Sequence, residues 1–334
     1  MKDLKIIFLG TPNFAIPSLE GLLKADIKPL MIITQPDRPS GRGQKIIKSA
    51  VKELAEKHNL LIRQPIKIAR DLSLIEEIKA LKPDLMVTVA FGQILSQEII
   101  DIAKWGIWNV HASLLPRWRG AAPIQWSILN GDLQTGITIM QTEKGLDTGP
   151  ILNSRSLDIT ETDTAKTLNK KLSVLGAELL LTTIINNYDS PIKAQAQIND
   201  ENLVKYASKI TKEMSVISWA EINIIELNRK FRALNPWPGI HFDIFDEMNN
   251  LIEERIKIQK VDYHLLDNII DIKQSSLGEI IIREKKVFIQ LKDGFLELKE
   301  ILPSGKKNML AIDWINGLKN KVKDSKLYIL KRIT

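Results

Sequence analysis

The first part of the chain keeps one rhythm, and that rhythm limits what it can fold into. Short β-rich runs (LKIIFLG, PLMIIT, DLMVTVAFG, GIWNVHA, GITIMQT) are set between helix or turn signals such as FAIPSLEGLLKA and the helical stretch around Val51 to Asn59. This alternation predicts an α/β fold: a parallel, doubly wound sheet with helices on both faces. Such sheets hold ligands at the carboxyl ends of their strands, so polar residues there are the first candidates for chemistry.

The rhythm then changes. Apolar residues at helical spacing run from Asp163 to Asn187 and stop at NNYDSP, and the following PIKAQAQINDENLVKY has little periodicity and reads as a linker. A Ser218-x-x-Glu221 capping box predicts a helix to about Leu234, ended by NPWPG, whose prolines and glycine cannot continue it. Beyond it, RIKIQKV, GEIIIR, VFIQL and FLELKEIL alternate with turns holding Asp293-Gly294 and Ser304-Gly305. That pattern predicts a small C-terminal β-barrel of the oligonucleotide-binding type. The 334 residues therefore divide, on sequence, into a domain at 1–189, a linker at 190–207 and a barrel domain at 208–334.

Composition narrows the chemistry. With no cysteine there are no disulfides, thiolate metal sites or cysteine nucleophiles, and four histidines leave few places for imidazole catalysis. No apolar run reaches the length of a membrane span and the start lacks the layout of a signal peptide, so a cytoplasmic protein without a membrane partner is expected. The net charge of +7 favours a polyanionic partner. It is concentrated in Arg38 to Lys48, which has no acid, and in Lys319 to Arg332, where Asp324 is the only one.

Gly10-Thr11-Pro12-Asn13-Phe14 sits where a first strand turns into a helix, but it lacks the G-x-G-x-x-G glycines of a dinucleotide site, so nicotinamide and flavin are disfavoured. More telling is GIWNVHASLLPRWRGAAPIQW. Asn109 and His111 are two residues apart on a β-rich run, so the pleat sends both side chains to one face. A loop bearing Arg117, Trp118 and Arg119 follows. Asp147 lies in Gly145-Leu146-Asp147-Thr148-Gly149-Pro150, an acid held between turn-forming glycines, and is a candidate orienting group.

Taken together, HASLLPRWRGAAPIQ, VTVAFGQIL, GLDTG, TQPDRPSGRG and NPWPG resemble the methionyl-tRNA formyltransferase family, in order and spacing, through nearly the whole chain. Ala112 stands where the family usually has glycine. The resemblance implies a Rossmann-like formyltransferase domain joined to a barrel domain that helps bind tRNA. It also implies 10-formyltetrahydrofolate as donor, methionyl initiator tRNA as acceptor, and Asn109, His111 and Asp147 as the catalytic trio. Folate contact is expected at Ser113, Leu114, Leu115 and Pro116, and tRNA contact at Arg42 in the basic loop and at Lys209. No metal is expected, and a monomer is.

The residue types suit that reaction. Formyl transfer to an amine passes through a tetrahedral intermediate whose oxygen turns negative, and the Asn109 amide can donate to it. An imidazole exchanges protons close to working pH, so His111 could take the proton of the attacking amine or, charged, steady the oxyanion. Asp147 would orient that ring and favour its charged form. Two other readings compete: a formyltransferase acting on an amino sugar nucleotide or on glycinamide ribonucleotide, and a non-catalytic RNA-binding module. The basic loop and extra β-rich domain argue against the first, and the second leaves the polar trio without a shared purpose.

Overall fold

Nearly continuous apolar runs form the middle of a sheet. All five residues of β1 (Ile6–Gly10) are buried, as are all five of LMVTV at Leu85–Val89, the mark of strands covered on both faces. The computed structural model describes residues 4–40, 45–189, 192–265, 275–322 and 326–329. It contains two compact units, Met1–Ser127 with Asp132–Lys209, and Ile128–Gly131 with Ile210–Thr334.

In chain order β1 is followed by α1 (Ile16–Lys24), β2 (Met31–Ile33), β3 (Arg38–Ser40), β4 (Lys45–Ile47), α2 (Ala50–Lys57), β5 (Ile62–Arg63), α3 (Leu72–Leu81), β6 (Leu85–Val89) and α4 (Gln97–Ile100). Then come β7 (Ile107–His111), β8 (Arg119–Gly120), α5 (Pro123–Asn130), β9 (Gln134–Gln141), β10 (Ile151–Asp158), α6 (Ala165–Asp189) and β11 (Tyr206–Ala207). The main sheet has the order β10-β9-β7-β6-β1-β2-β5. Its strands from β5 to β7 are parallel, and β9 and β10 run antiparallel to their neighbours.

The chain builds outward from β1 to one side and then returns to the other, so the order reverses beside β1, which opens a crevice at the carboxyl ends. One face of the sheet packs Ile7, Leu9, Met31, Ile33 and Met86 against Ile75 and Ile78 of α3, while α1 and α6 pack together. Ser49 caps α2 by accepting from the Lys52 amide, and Asp71 caps α3 by accepting from that of Leu74.

Asp163 anchors the start of α6. Its carboxylate accepts from the Thr160 amide and hydroxyl, the Thr167 hydroxyl and Lys171 Nζ, at 2.8 to 3.0 Å. Burial pushes this carboxyl up, but these hydrogen bonds outweigh burial and bring it down to about 2.

The second unit holds α7 (Ile224–Leu234), β12 (His241–Phe245), β13 (Leu251–Leu265), β14 (Ile280–Arg283), β15 (Lys286–Leu291), β16 (Gly294–Leu302), β17 (Met309–Leu310) and α8 (Ala311–Val322). Its antiparallel sheet has the order β12-β13-β16-β15-β14, with β17 on β16. Tyr328 bridges Phe245 of β12 to Glu279, the residue before β14, drawing the two sheet edges together. The expected barrel-like domain is thus a curled antiparallel sheet.

One local expectation is corrected. The helix begins at Ile224, not after Ser218: Asn223 caps it by accepting from the Glu226 amide at 2.8 Å, while the Ser218 hydroxyl bonds the Glu221 carboxylate in a turn. The capping box was a real hydrogen-bonding pair, but Asn223 offers an equally good acceptor one turn later, and Ile222 and Ile224 on either side of it are buried. Among the described residues no helix is long and apolar enough to cross a membrane.

Candidate active site

The site grows from the end of β7. In IWNVH the pleat puts Ile107, Asn109 and His111 on one face and Trp108 and Val110 on the other. β7 lies between β6, where Thr88 pairs with Asn109, and β9, where Met140 pairs with Asn109 and Thr138 with His111. Pairing on both edges therefore fixes the direction of both polar side chains. Asn109 is half-buried, and His111 is only 5% exposed, so bulk water does little to screen it.

Asp147 arrives from the turn after β9, with a left-handed φ of 51°. Its Oδ1 lies 3.5 Å from Asn109 Nδ2 and its Oδ2 lies 3.7 Å from His111 Nδ1, while the Gly120 amide donates to Oδ2 at 2.8 Å. The three residues chosen from sequence thus meet around one carboxylate. His111 Nε2 sits 3.0 Å from the Trp118 carbonyl. A carbonyl only accepts, so Nε2 carries the hydrogen and Nδ1 is the basic atom of the neutral ring, facing Asp147. The 3.5 Å contact is long for a hydrogen bond, and Asn109 keeps its second N–H for another acceptor.

Residues 112–120 wrap around this centre. Ser113 is fully buried, its hydroxyl donating to the Arg117 carbonyl at 2.6 Å. Thr138 Oγ1 donates to the Ser113 carbonyl and accepts from the Leu115 amide, tying the loop to β9. Leu115 is buried, and Leu114 and Pro116 are half-buried. Arg117 forks onto Asp132 at 2.9 and 2.7 Å, is held more firmly charged by that carboxylate, and lies 4.7 Å over the Trp118 ring, whose Nε1 also donates to Asp132. The basic and aromatic residues of the loop are thus engaged in holding its shape.

Sequence reasoning missed Gln197. Its Nε2 donates to the carbonyls of Asp147 and Gly149, both at 2.8 Å, and its Oε1 accepts from Arg119 Nε and Nη2 at 3.1 and 2.8 Å. Nearby, Tyr206 and Ala207 of β11 pair with Arg119 and Gly120 of β8. No motif marks one glutamine of KAQAQ in a stretch with little periodicity, so nothing in the sequence pointed to it.

Arg42 lies outside the described residues. Lys209 is exposed at the last position of the first unit and is not among the trio's contacts. An open hollow of about 690 Å³ is lined by Gln97, Ile100, Trp105, Gln141, Thr142 and Gly145 among others. Neither the trio nor Ser113 to Pro116 lines it. Among the described residues no cluster of three or more His, Asp or Glu side chains could hold a metal ion.

Comparison with known proteins matches residues 4–184 to the formyl transferase family and residues 209–319 to the formyl transferase C-terminal domain. A methionyl-tRNA formyltransferase from Ruminiclostridium cellulolyticum is 39% identical over 320 residues, covering 95% of this chain and 97% of that protein. Among solved structures, an N-formyltransferase from Helicobacter canadensis, in complex with folinic acid and dTDP-3-aminofucose, matches with a TM-score of 0.64 at 22% identity, over 88% of this chain and 98% of its own. HypX from Aquifex aeolicus, in complex with tetrahydrofolic acid, matches with a TM-score of 0.59 at 14% identity, over 95% of this chain. The chain spans about half of HypX, 47% of its length. At these identities the structural likeness is one of fold.

Proposed function

The chain belongs to the methionyl-tRNA formyltransferase branch of the formyl transferase family, and on that premise we propose that it transfers the formyl group of 10-formyltetrahydrofolate to the amino group of methionyl initiator tRNA. The observation that carries the chemistry is the meeting of Asn109, His111 and Asp147 at the end of β7.

In the reaction the amine nitrogen bonds the formyl carbon, the carbon's bond to N10 of the folate breaks, the amine loses a proton and N10 gains one. An α-amino group has an ordinary pKa of roughly 7.7 to 8.0, so a useful neutral fraction exists near neutral pH and a strong base is not needed. His111 Nδ1 takes the proton, and the ring, held at Nε2 by the Trp118 carbonyl, meets the Asp147 carboxylate as a cation. Asn109 donates its free N–H to the oxyanion of the tetrahedral intermediate. Asp147 orients the Asn109 amide and, once Nδ1 carries the proton, the His111 ring.

In this reading residues 1–189 bind folate and carry the chemistry, 190–207 connect, and 208–334 bind tRNA. Ser113, Leu114, Leu115 and Pro116 line the donor's approach, the last three through apolar contact and Ser113 by shaping the loop. Arg42 and Lys209 contact tRNA phosphates. The protein works as a cytoplasmic monomer. Labelled 10-formyltetrahydrofolate offered with methionyl initiator tRNA, an amino sugar nucleotide and glycinamide ribonucleotide in competition tests the acceptor. Label in formylmethionyl-tRNA is the expected result, and label in either small acceptor overturns it.

A further inference from the structure

We infer that Gln197 is a positioning residue for formyl transfer: it acts through Asp147, by clamping the turn that presents the carboxylate. The inference rests on the catalytic roles proposed above.

Gln197 has two amide hydrogens and one carbonyl oxygen with two lone pairs, and all four are used. The hydrogens go to the Asp147 and Gly149 carbonyls, and the oxygen takes both hydrogens of the Arg119 fork. That pattern fixes the amide's orientation, since reversing it would set N–H groups against a guanidinium and oxygen against two carbonyls. Arg119 is only 4% exposed, so its end of the clamp is also held.

The turn needs such support. Asp147 sits at a φ of 51°, a region a non-glycine residue occupies only when its surroundings hold it there. Gly149 is pressed so close to β9 that a Cβ would fall 1.8 Å from the Gln141 carbonyl oxygen. Gln197 grips the carbonyls on both sides of Thr148, and through Arg119 it links them to the residue before Gly120, whose amide donates to the Asp147 carboxylate. One glutamine thus ties the backbone of the acid to the strand that hydrogen-bonds its side chain. Without it the carboxylate can drift from His111 Nδ1, and a displacement of about 1 Å at a reacting group can cost on the order of a hundredfold in rate.

The test is a double-mutant cycle in the full-length protein, with Gln197→Met, Asp147→Asn and the pair, read as kcat and KM for methionyl initiator tRNA and for 10-formyltetrahydrofolate. Gln197→Met is expected to lower kcat about tenfold to a hundredfold with both KM values little changed. In the Asp147→Asn background it should lower kcat no further, since a residue acting through Asp147 has nothing left to position. A general structural role would instead multiply the two losses, and that outcome, or wild-type kcat in Gln197→Met, overturns the inference. Where Gln197→Met is not recovered folded, Gln197→Asn, which keeps the amide but shortens its reach, carries the same cycle. Full turnover by Asp147→Asn alone overturns the proposed catalytic roles and the inference with them; a crippled Asp147→Asn beside an unimpaired Gln197→Met overturns the inference only.

Discussion

Replacing Gly120 with alanine strikes the contact between β8 and β11 from the inside. Gly120 has a φ of 123°, where L side chains are strained, and an added Cβ would fall 2.7 Å from the Ala207 carbonyl oxygen. Holding alanine in that conformation costs on the order of 1 to 3 kcal/mol. Escaping it means parting β8 from β11, which breaks the Arg119 amide to Lys205 carbonyl bond at 2.9 Å and the Ala121 amide to Ala207 carbonyl bond at 2.8 Å. Each is worth about 0.5 to 1.5 kcal/mol net. The two routes are comparable, so the substitution loosens the pairing, and it also disturbs the Gly120 amide that donates to Asp147. We expect kcat to fall about tenfold to a hundredfold. Hydrogen exchange at the Ala121 amide should quicken in parallel. Turnover and hydrogen-exchange mass spectrometry on Gly120→Ala check both, and wild-type kcat with undiminished Ala121 protection would refute the reasoning.

His111→Ala should lower kcat by about 10² to 10⁴ and leave the dissociation constant for the folate donor nearly unchanged; unchanged turnover in the purified variant removes His111 from the mechanism. Arg42→Ala should raise KM for tRNA and reduce the slope of log affinity against log salt by about one, as expected on losing one phosphate contact; wild-type kinetics across a salt series contradicts that. Asp163 titrates at about 2 in the fold, below its unfolded value near 3.8. Its contribution, about 2 kcal/mol from that shift, is therefore complete above the unfolded value and lost as pH falls through the folded one. Urea midpoints from about pH 5 to 2 should fall more steeply in the native protein than in Asp163→Asn; parallel curves would sink this.

The sheet was legible because its central strands, IIFLG and LMVTV, are nearly continuous apolar runs, with Thr88 the one polar side chain between them. Asn109 and His111 were legible for a related reason: a two-residue spacing on a strand fixes a shared face whatever else the fold does. Asp147 needed more, since an acid between glycines is ordinary turn chemistry until a histidine is found opposite, and family resemblance supplied that link. The Ser218 box misled because caps are local and cheap: Asn223 competes on equal terms, and the burial of its isoleucine neighbours is a tertiary fact. Gln197 was beyond reach altogether. Its role comes from two backbone carbonyls fifty and forty-eight residues earlier in the chain, brought to it by the fold, and no side-chain pattern records where backbone carbonyls point.

The most direct measurement is the single-turnover rate of formyl transfer to methionyl initiator tRNA in Asn109→Ala, His111→Ala, Asp147→Asn and the variant combining all three. Groups that work on one carbon as a unit lose most of their effect when any is removed, so the triple variant should be slower than the slowest single variant by no more than about tenfold. Losses that multiply across the three positions would mean that they contribute separately, and would contradict the account.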